Sequence, residues 1–165
     1  MEMETRMPGP KVVRSEEGQA VRVLSEIILF KILDADTNEG YLIIEVRSPV
    51  QQGVPPHIQQ EDETHIILEG THAFQIGAQT LECGPGTIVF VPRGTPHGFT
   101  NIGTGPARLL QVVSPGANFG QLLRELGEPI DDPSTPPPPS GPPDLEKIVA
   151  VAGKYGVELL PPPTA

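Results

Sequence analysis

The sequence predicts an all-β barrel or sandwich that carries a helical, proline-rich C-terminal extension. Three observations lead there. Runs of about five residues rich in Val, Ile, Leu and Phe recur through the first two thirds of the chain, with Gly, Pro or Asn turn signals roughly every 8–12 residues. No strand–helix–strand rhythm accompanies them, which argues against a doubly wound parallel sheet. The chain of 165 residues holds 21 prolines and 18 glycines and no tryptophan, and much of the proline falls near its C-terminal end. That length suits one domain with a proper core rather than two. We expect residues 1–10 to be disordered or loosely attached, the barrel to occupy 11–114, and the extension to fill 115–165.

Val21–Leu24 alternates apolar and polar residues as a half-buried strand does. Ile27–Leu33 is denser and β-branched, the pattern of a strand buried on both faces or at a subunit contact. The turn Asp36–Gly40 links it to Tyr41–Arg47 as a hairpin, and Pro49 stops the second strand. Thr64–Glu69, Ala73–Ile76, Thr80–Glu82, Thr87–Val91 and Arg108–Val113 complete the set, separated at Gly70, Gly77, Gly84–Gly86 and Pro92. Beyond Ser114 the spacing changes. Phe119–Leu126 is helical and ends at Gly127. Residues 131–143, with Pro136–Pro139, read as an extended linker. Asp144 is placed to cap a second helix, Leu145–Ala152, whose apolar stripe would pack on the barrel or on a neighbouring subunit.

The formal net charge is −10 with no run of Lys or Arg, which disfavours nucleic acid, a partner bound mainly through phosphate neutralisation. No apolar run approaches the ~20 residues of a membrane span. The N-terminus lacks the basic and apolar regions of a signal peptide. A soluble, cytoplasmic protein is expected. Cys83 is the only cysteine, so no internal disulfide forms; we read it as a small turn residue. The apolar run at Ile27–Leu33 and the terminal arms suggest a homodimer.

The chemistry concentrates between Pro55 and Asn101. His57, Glu63 and His97 lie among short extended runs bounded by Gly and Pro. Two imidazoles and one carboxylate that leave coordination positions open form the facial triad suited to non-haem iron and related divalent metals. Residues two apart on a strand share a face, so His57 and Gln59 can converge, and Glu63 joins them if the strand continues. His97 must arrive from a distant segment. His65 continues the same parity and is a general base, a fourth ligand or a half-buried strand histidine. His72, Phe74, Phe90 and Phe99 are candidate pocket walls or ordinary core. Glu61 and Asp62 are expected in a solvated turn, and Arg93 is the one cation near the motifs that would suit a diphosphate.

This stretch resembles the cupin superfamily in both of its signature motifs. The second, G-x5-P-x-G-x2-H-x3-N, falls on Gly86, Pro92, Gly94, His97 and Asn101. The first, H-x-H-x3-E-x6-G, falls on His57, Gln59, Glu63 and Gly70, with Gln59 where the family usually has a second histidine. The resemblance implies a cupin β-barrel, the jelly roll also called a double-stranded β-helix. It implies His57, Glu63 and His97 as ligands of a divalent iron, manganese, nickel or zinc ion, with Gln59 in the fourth protein position, and Glu63 or His65 as the group that moves a proton. A small-molecule dioxygenase resembling the quercetin-dioxygenase-like cupins, acting on an aromatic or enolisable substrate, is the first expectation. A non-oxidative isomerase or cyclase is the second, and a ligand-binding module whose metal site has degenerated at Gln59 the third.

Overall fold

The computed structural model describes residues 8–161. The disordered N-terminus expected over 1–10 lies outside the described residues as far as position 7, and Pro8–Pro10 follow as irregular coil. Ten strands precede the first α-helix: β1 Ala20–Val23, β2 Glu26–Ile32, β3 Leu42–Ser48, β4 Gly53–Ile58, β5 Asp62–Glu69, β6 His72–Ile76, β7 Gln79–Cys83, β8 Ile88–Val91, β9 His97–Asn101 and β10 Ala107–Ser114. The extension adds α1 Ala117–Leu126, β11 Glu128–Ile130, α2 Leu145–Lys154 and β12 Glu158–Leu159.

Two antiparallel sheets form the jelly roll. One runs β11-β1-β2-β3-β10-β5-β8, the other β12-β4-β9-β6-β7. Alternation sets their inner faces. Ile28 and Phe30 of β2, Leu42, Ile44 and Val46 of β3, Ile67 of β5 and Leu109 and Val113 of β10 meet Phe74 and Phe99 of the second sheet in one buried core. The opposite face of β2 is buried as well, with Ile27 and Leu29 packed against Ala20 and Ile130. The run that suggested a subunit contact is therefore consumed within one chain, partly by β11.

The extension does not form a separate unit after residue 114. Its two short strands each extend a sheet, β11 alongside β1 and β12 alongside β4. The Asp144 side chain accepts a hydrogen bond from the Lys147 N–H, as expected of a helix N-cap. The apolar stripe of α2 meets α1: Val151, Ala152, Val157 and Leu122 form a second small core. The linker remains exposed coil, anchored where Arg22 donates to the Pro137 carbonyl. Cys83 is buried at the end of β7 rather than in a turn. Among the described residues, no helix is long and apolar enough to cross a membrane.

Candidate metal centre

His57 and His97 face each other as direct partners across the β4–β9 ladder. The ladder loses register between Val54 and His57, where Pro55 and Pro56 supply no backbone N–H. Close approach of β9 to β4 depends on Gly98, since a β-carbon there would lie 2.7 Å from the Val54 carbonyl oxygen and 2.9 Å from the Pro56 nitrogen. The two imidazole centroids are 4.4 Å apart.

Glu63 does not continue the strand of His57. β4 ends at Ile58, the chain turns through Gln59–Glu61, and β5 starts in the opposite sheet. The carboxylate reaches the histidines across the barrel interior, and shared strand parity plays no part. The turn is fixed by the Gly94 N–H donating to the Gln59 carbonyl at 2.9 Å. Gly94 itself has φ +82°, a left-handed conformation that favours glycine. The second motif thus holds the first in place. Its last residue, Asn101, is scaffolding: its amide donates to the carbonyls of Ser48 and Gly105 and its oxygen accepts from the Gly103 N–H.

His57, Glu63 and His97 are all buried, and each offers a ligand atom within 4.8 Å of the others. Their hydrogen bonds fix which atoms face inward. His57 Nδ1 lies 2.9 Å from the Pro55 carbonyl oxygen, and His97 Nδ1 lies 2.9 Å from that of Thr95. A carbonyl only accepts, so both Nδ1 atoms carry the proton and both Nε2 atoms turn to the interior. There they meet acceptors. His97 Nε2 is 2.6 Å from Glu63 Oε2, and His57 Nε2 is 3.0 Å from Gln59 Oε1.

Glu63 is engaged on both oxygens. Gln111 Nε2 donates to Oε1 at 2.5 Å, while His65 Nε2 lies 3.2 Å from Oε2. Burial alone would raise its carboxyl, but the hydrogen bonds from His65 and His97 outweigh it and hold the group below the usual carboxylate range. The same contact reverses the sign for His97: burial depresses it, yet the Glu63 carboxylate lifts it above an ordinary histidine. His57 is depressed, by burial first and the neighbouring His97 second.

The other singled-out residues scatter. His65 is fully buried behind Glu63, edge-on to Phe74 and Phe99. His72 is fully buried too, and neither ring nitrogen has a hydrogen-bond partner. Phe74 fills the core beside them. Phe90 is not a pocket wall: it points outward from β8 and is 59% exposed. Glu61 is not solvated but 3% exposed, and burial followed by the charge of Glu63 raises its carboxyl. Asp62, half-buried at the start of β5, accepts from Arg93 at 3.1 Å, which occupies the cation considered for a diphosphate.

His57 and Glu63 open onto a cavity of about 100 Å³ inside the barrel. Phe99 and Gln111 line it, with Ile28, Ile44 and Val46 along one wall. Its roof is the extension, through Phe119, Leu122, Leu123 and Leu126 of α1, Ile148 and Ala152 of α2, and Val157 and Leu159 beyond. Neither signature motif signals that residues so far along the chain close the site, although the apolar stripe of α2 marks a face in need of cover. Glu26 also lines this cavity, and nothing in the motifs pointed to it.

Residues 44–113 match the family model described as the cupin domain. That stretch is a cupin domain. The chain is 28% identical over 106 residues to an uncharacterised protein of Streptomyces coelicolor, spanning 64% of this chain and 96% of that one. Among solved structures it resembles a predicted oxalate decarboxylase from Thermotoga maritima, with a TM-score of 0.58, 22% identity, and 63% of this chain and 98% of the other covered. It also resembles the polyketide cyclase RemF from Streptomyces resistomycificus, with a TM-score of 0.50, 25% identity, and coverage of 69% and 80%. The first structural likeness establishes the cupin fold and nothing finer.

Proposed function

We propose that this cupin holds a divalent metal ion between His57, Glu63 and His97, with the Gln59 amide oxygen as a fourth donor, and uses it on a small enolisable or aromatic substrate. One observation carries the reading. Both histidines spend an Nδ1 proton on a backbone carbonyl, so each Nε2 meets an acceptor, Glu63 for His97 and Gln59 for His57, and the gap calls for positive charge: a second proton on His97 in the metal-free protein, or a metal ion in its place. Acceptors aimed at one point repel unless positive charge lies between them. The carbonyl partners also do what outer-layer groups do at metal sites, fixing tautomer and ring orientation. In the metal-free protein, turning the Gln59 amide over would set its NH₂ against the His57 lone pair, so this side chain is compatible with both states.

When bound, the ion supplies Lewis acidity toward a substrate oxygen and, if redox-active, reactivity toward dioxygen. The protein's own groups hold that oxygen in an apolar, roofed space. Gln111 and His65 keep Glu63 ionised and immobile. A carboxylate held below its usual range accepts protons poorly, so Glu63 serves as ligand and His65 as its support. A dioxygenase-like reaction is the first reading. A non-oxidative cyclase is the second, supported by the likeness to the polyketide cyclase, and oxygen uptake during turnover separates the two.

The test is elemental analysis of protein purified without chelator or affinity tag. Near-stoichiometric iron, manganese, nickel or zinc is expected, and Gln59→His should raise the affinity, since imidazole is the better donor to these ions. Protein that stays empty after soaking with each metal would leave a cupin that binds its ligand without one.

A further inference from the structure

The cavity has a second polar feature. Glu26 starts β2 and shares the inward parity of Ile28 and Phe30. It is 2% exposed. The ladders place it level with Ser48 on β3, whereas Glu63 stands in the row of Leu42 and Val113. Six residues of β3 separate those rows, roughly 20 Å along the strand at ~3.3 Å per residue. The two carboxyl groups therefore belong to opposite ends of one apolar space. Ser48 Oγ donates to one oxygen of Glu26, and Ser25 Oγ donates to the other at 3.2 Å. A carboxylate has about four acceptor positions, so two remain.

No Lys or Arg lines this cavity among the described residues. Glu26 is thus a buried carboxyl without a cation, an arrangement that costs stability and that an apolar residue would avoid. Burial pushes the group up to about 7 against the opposing hydrogen bonds of Ser48 and Ser25. A side chain kept in so unfavourable a position, facing ligand space, is accounted for by what it contacts there.

We propose that Glu26, backed by Ser25 and Ser48, is the distal recognition point of the cavity, and that the ligand is an elongated, uncharged, mainly apolar molecule with an enol or ketone oxygen at the metal end and a hydroxyl group at the Glu26 end. The inference rests on the metal reading for the first of those ends only. It argues against small dianions of the oxalate kind, which would find no cation at the far end and a carboxyl group in place of one.

The test uses zinc-loaded protein at pH 8, where Glu26 is ionised, and two enolisable probes long enough to cross that span, 4-hexylbenzoylacetone and its 4-(6-hydroxyhexyl) analogue. Calorimetry should show the wild type binding the hydroxyl-bearing probe ~10-fold more tightly, the scale of one hydrogen bond to a charged group. Glu26→Leu should abolish that preference while binding the hydroxyl-free probe at least as well and keeping its zinc. Should Glu26→Leu fail to fold, Glu26→Gln keeps the shape and should lose most of the preference. Equal affinities in the wild type, a preference unchanged in the variants, or no binding of either probe overturns the proposal. Zinc content of the same samples is read separately: a Glu26-dependent preference in protein that holds no zinc would uphold this site and overturn the metal reading alone.

Discussion

His72→Leu should remove part of this protein's sensitivity to acid. His72 is 0% exposed, packed against Phe74 and Phe99, and both ring nitrogens lack partners. Burial holds it neutral and lowers its pKa to about 4, with the nearby His65 adding to the shift. In the unfolded chain the value returns to ~6.5. Because the folded value is the lower one, the unfolded state takes up the proton first as pH falls. Stability is full above ~6.5 and is lost down to about 4. Integrated from neutrality to pH 5, the loss is about 2 kcal/mol, roughly 4–8 °C in midpoint for a domain of this size. His57 acts in the same direction, while His97, whose folded value is raised, loses its contribution as pH rises. Both remain in the variant, so the difference between the proteins isolates His72. At pH 7, His72→Leu should cost no more than about 1 kcal/mol, since it removes unpaired polar atoms and fills a similar volume. Urea unfolding of metal-free protein at pH 7, 6 and 5 measures both quantities. If the variant loses as much stability as the wild type between pH 7 and 5, the argument from burial fails.

Glu63→Gln should lower metal affinity by more than the roughly 10–100-fold that follows loss of an outer hydrogen-bond partner, with the circular dichroism spectrum retained. Competition titration with a chromophoric chelator measures it, and a wild-type affinity would remove Glu63 from the site. Gly98→Ala should cost about 1–3 kcal/mol through overpacking and also weaken metal binding, because displacing β9 from β4 separates His97 from His57. An unchanged urea midpoint together with unchanged metal affinity would show that the β4–β9 contact is not as tight as described.

What the sequence disclosed depended on whether a signal was local. Ile28, Ile44, Ile67 and Val113 lie in runs whose β-branched content and Gly or Pro boundaries mark strands without reference to the rest of the chain. The spacing of Gly86, Pro92, Gly94, His97 and Asn101 likewise belongs to one loop and strand. Long-range pairing was not legible. β11 contains Pro129 and β12 has only two residues, and each becomes a strand by docking on an existing sheet edge. Phe90 was misdirected because Ile88–Val91 is apolar at every position, leaving no alternation to choose a face. Glu61 looked solvated because carboxylates usually are, and its burial follows from the chain crossing between sheets at Gln59–Glu61. Glu26 was hidden for the same reason: its parity with Ile28 was visible, but charge argued for the outside.

The extension changes what the barrel can admit. A cavity of about 100 Å³ is smaller than the ~150 Å³ void that accommodates benzene, so a ring-sized ligand does not fit while the roof is shut. The barrel wall is continuous hydrogen-bonded sheet, whereas α2 is held by a small cluster with α1, by Lys154 and Tyr155 donating to Glu125 at the surface, and by β12 and Leu160 pairing with β4. The weaker element is the one that yields. The pairs joining β12 to β4 are Glu158 with Ile58 and Leu159 with His57. Displacing the roof should therefore release the backbone neighbour of a metal-site histidine, so deleting residues 156–165 is expected to weaken metal binding in the chelator competition, and an unchanged affinity would show that β12 does not position His57. What links cavity cover to the setting of His57 is thus a two-residue strand that lies outside both signature motifs.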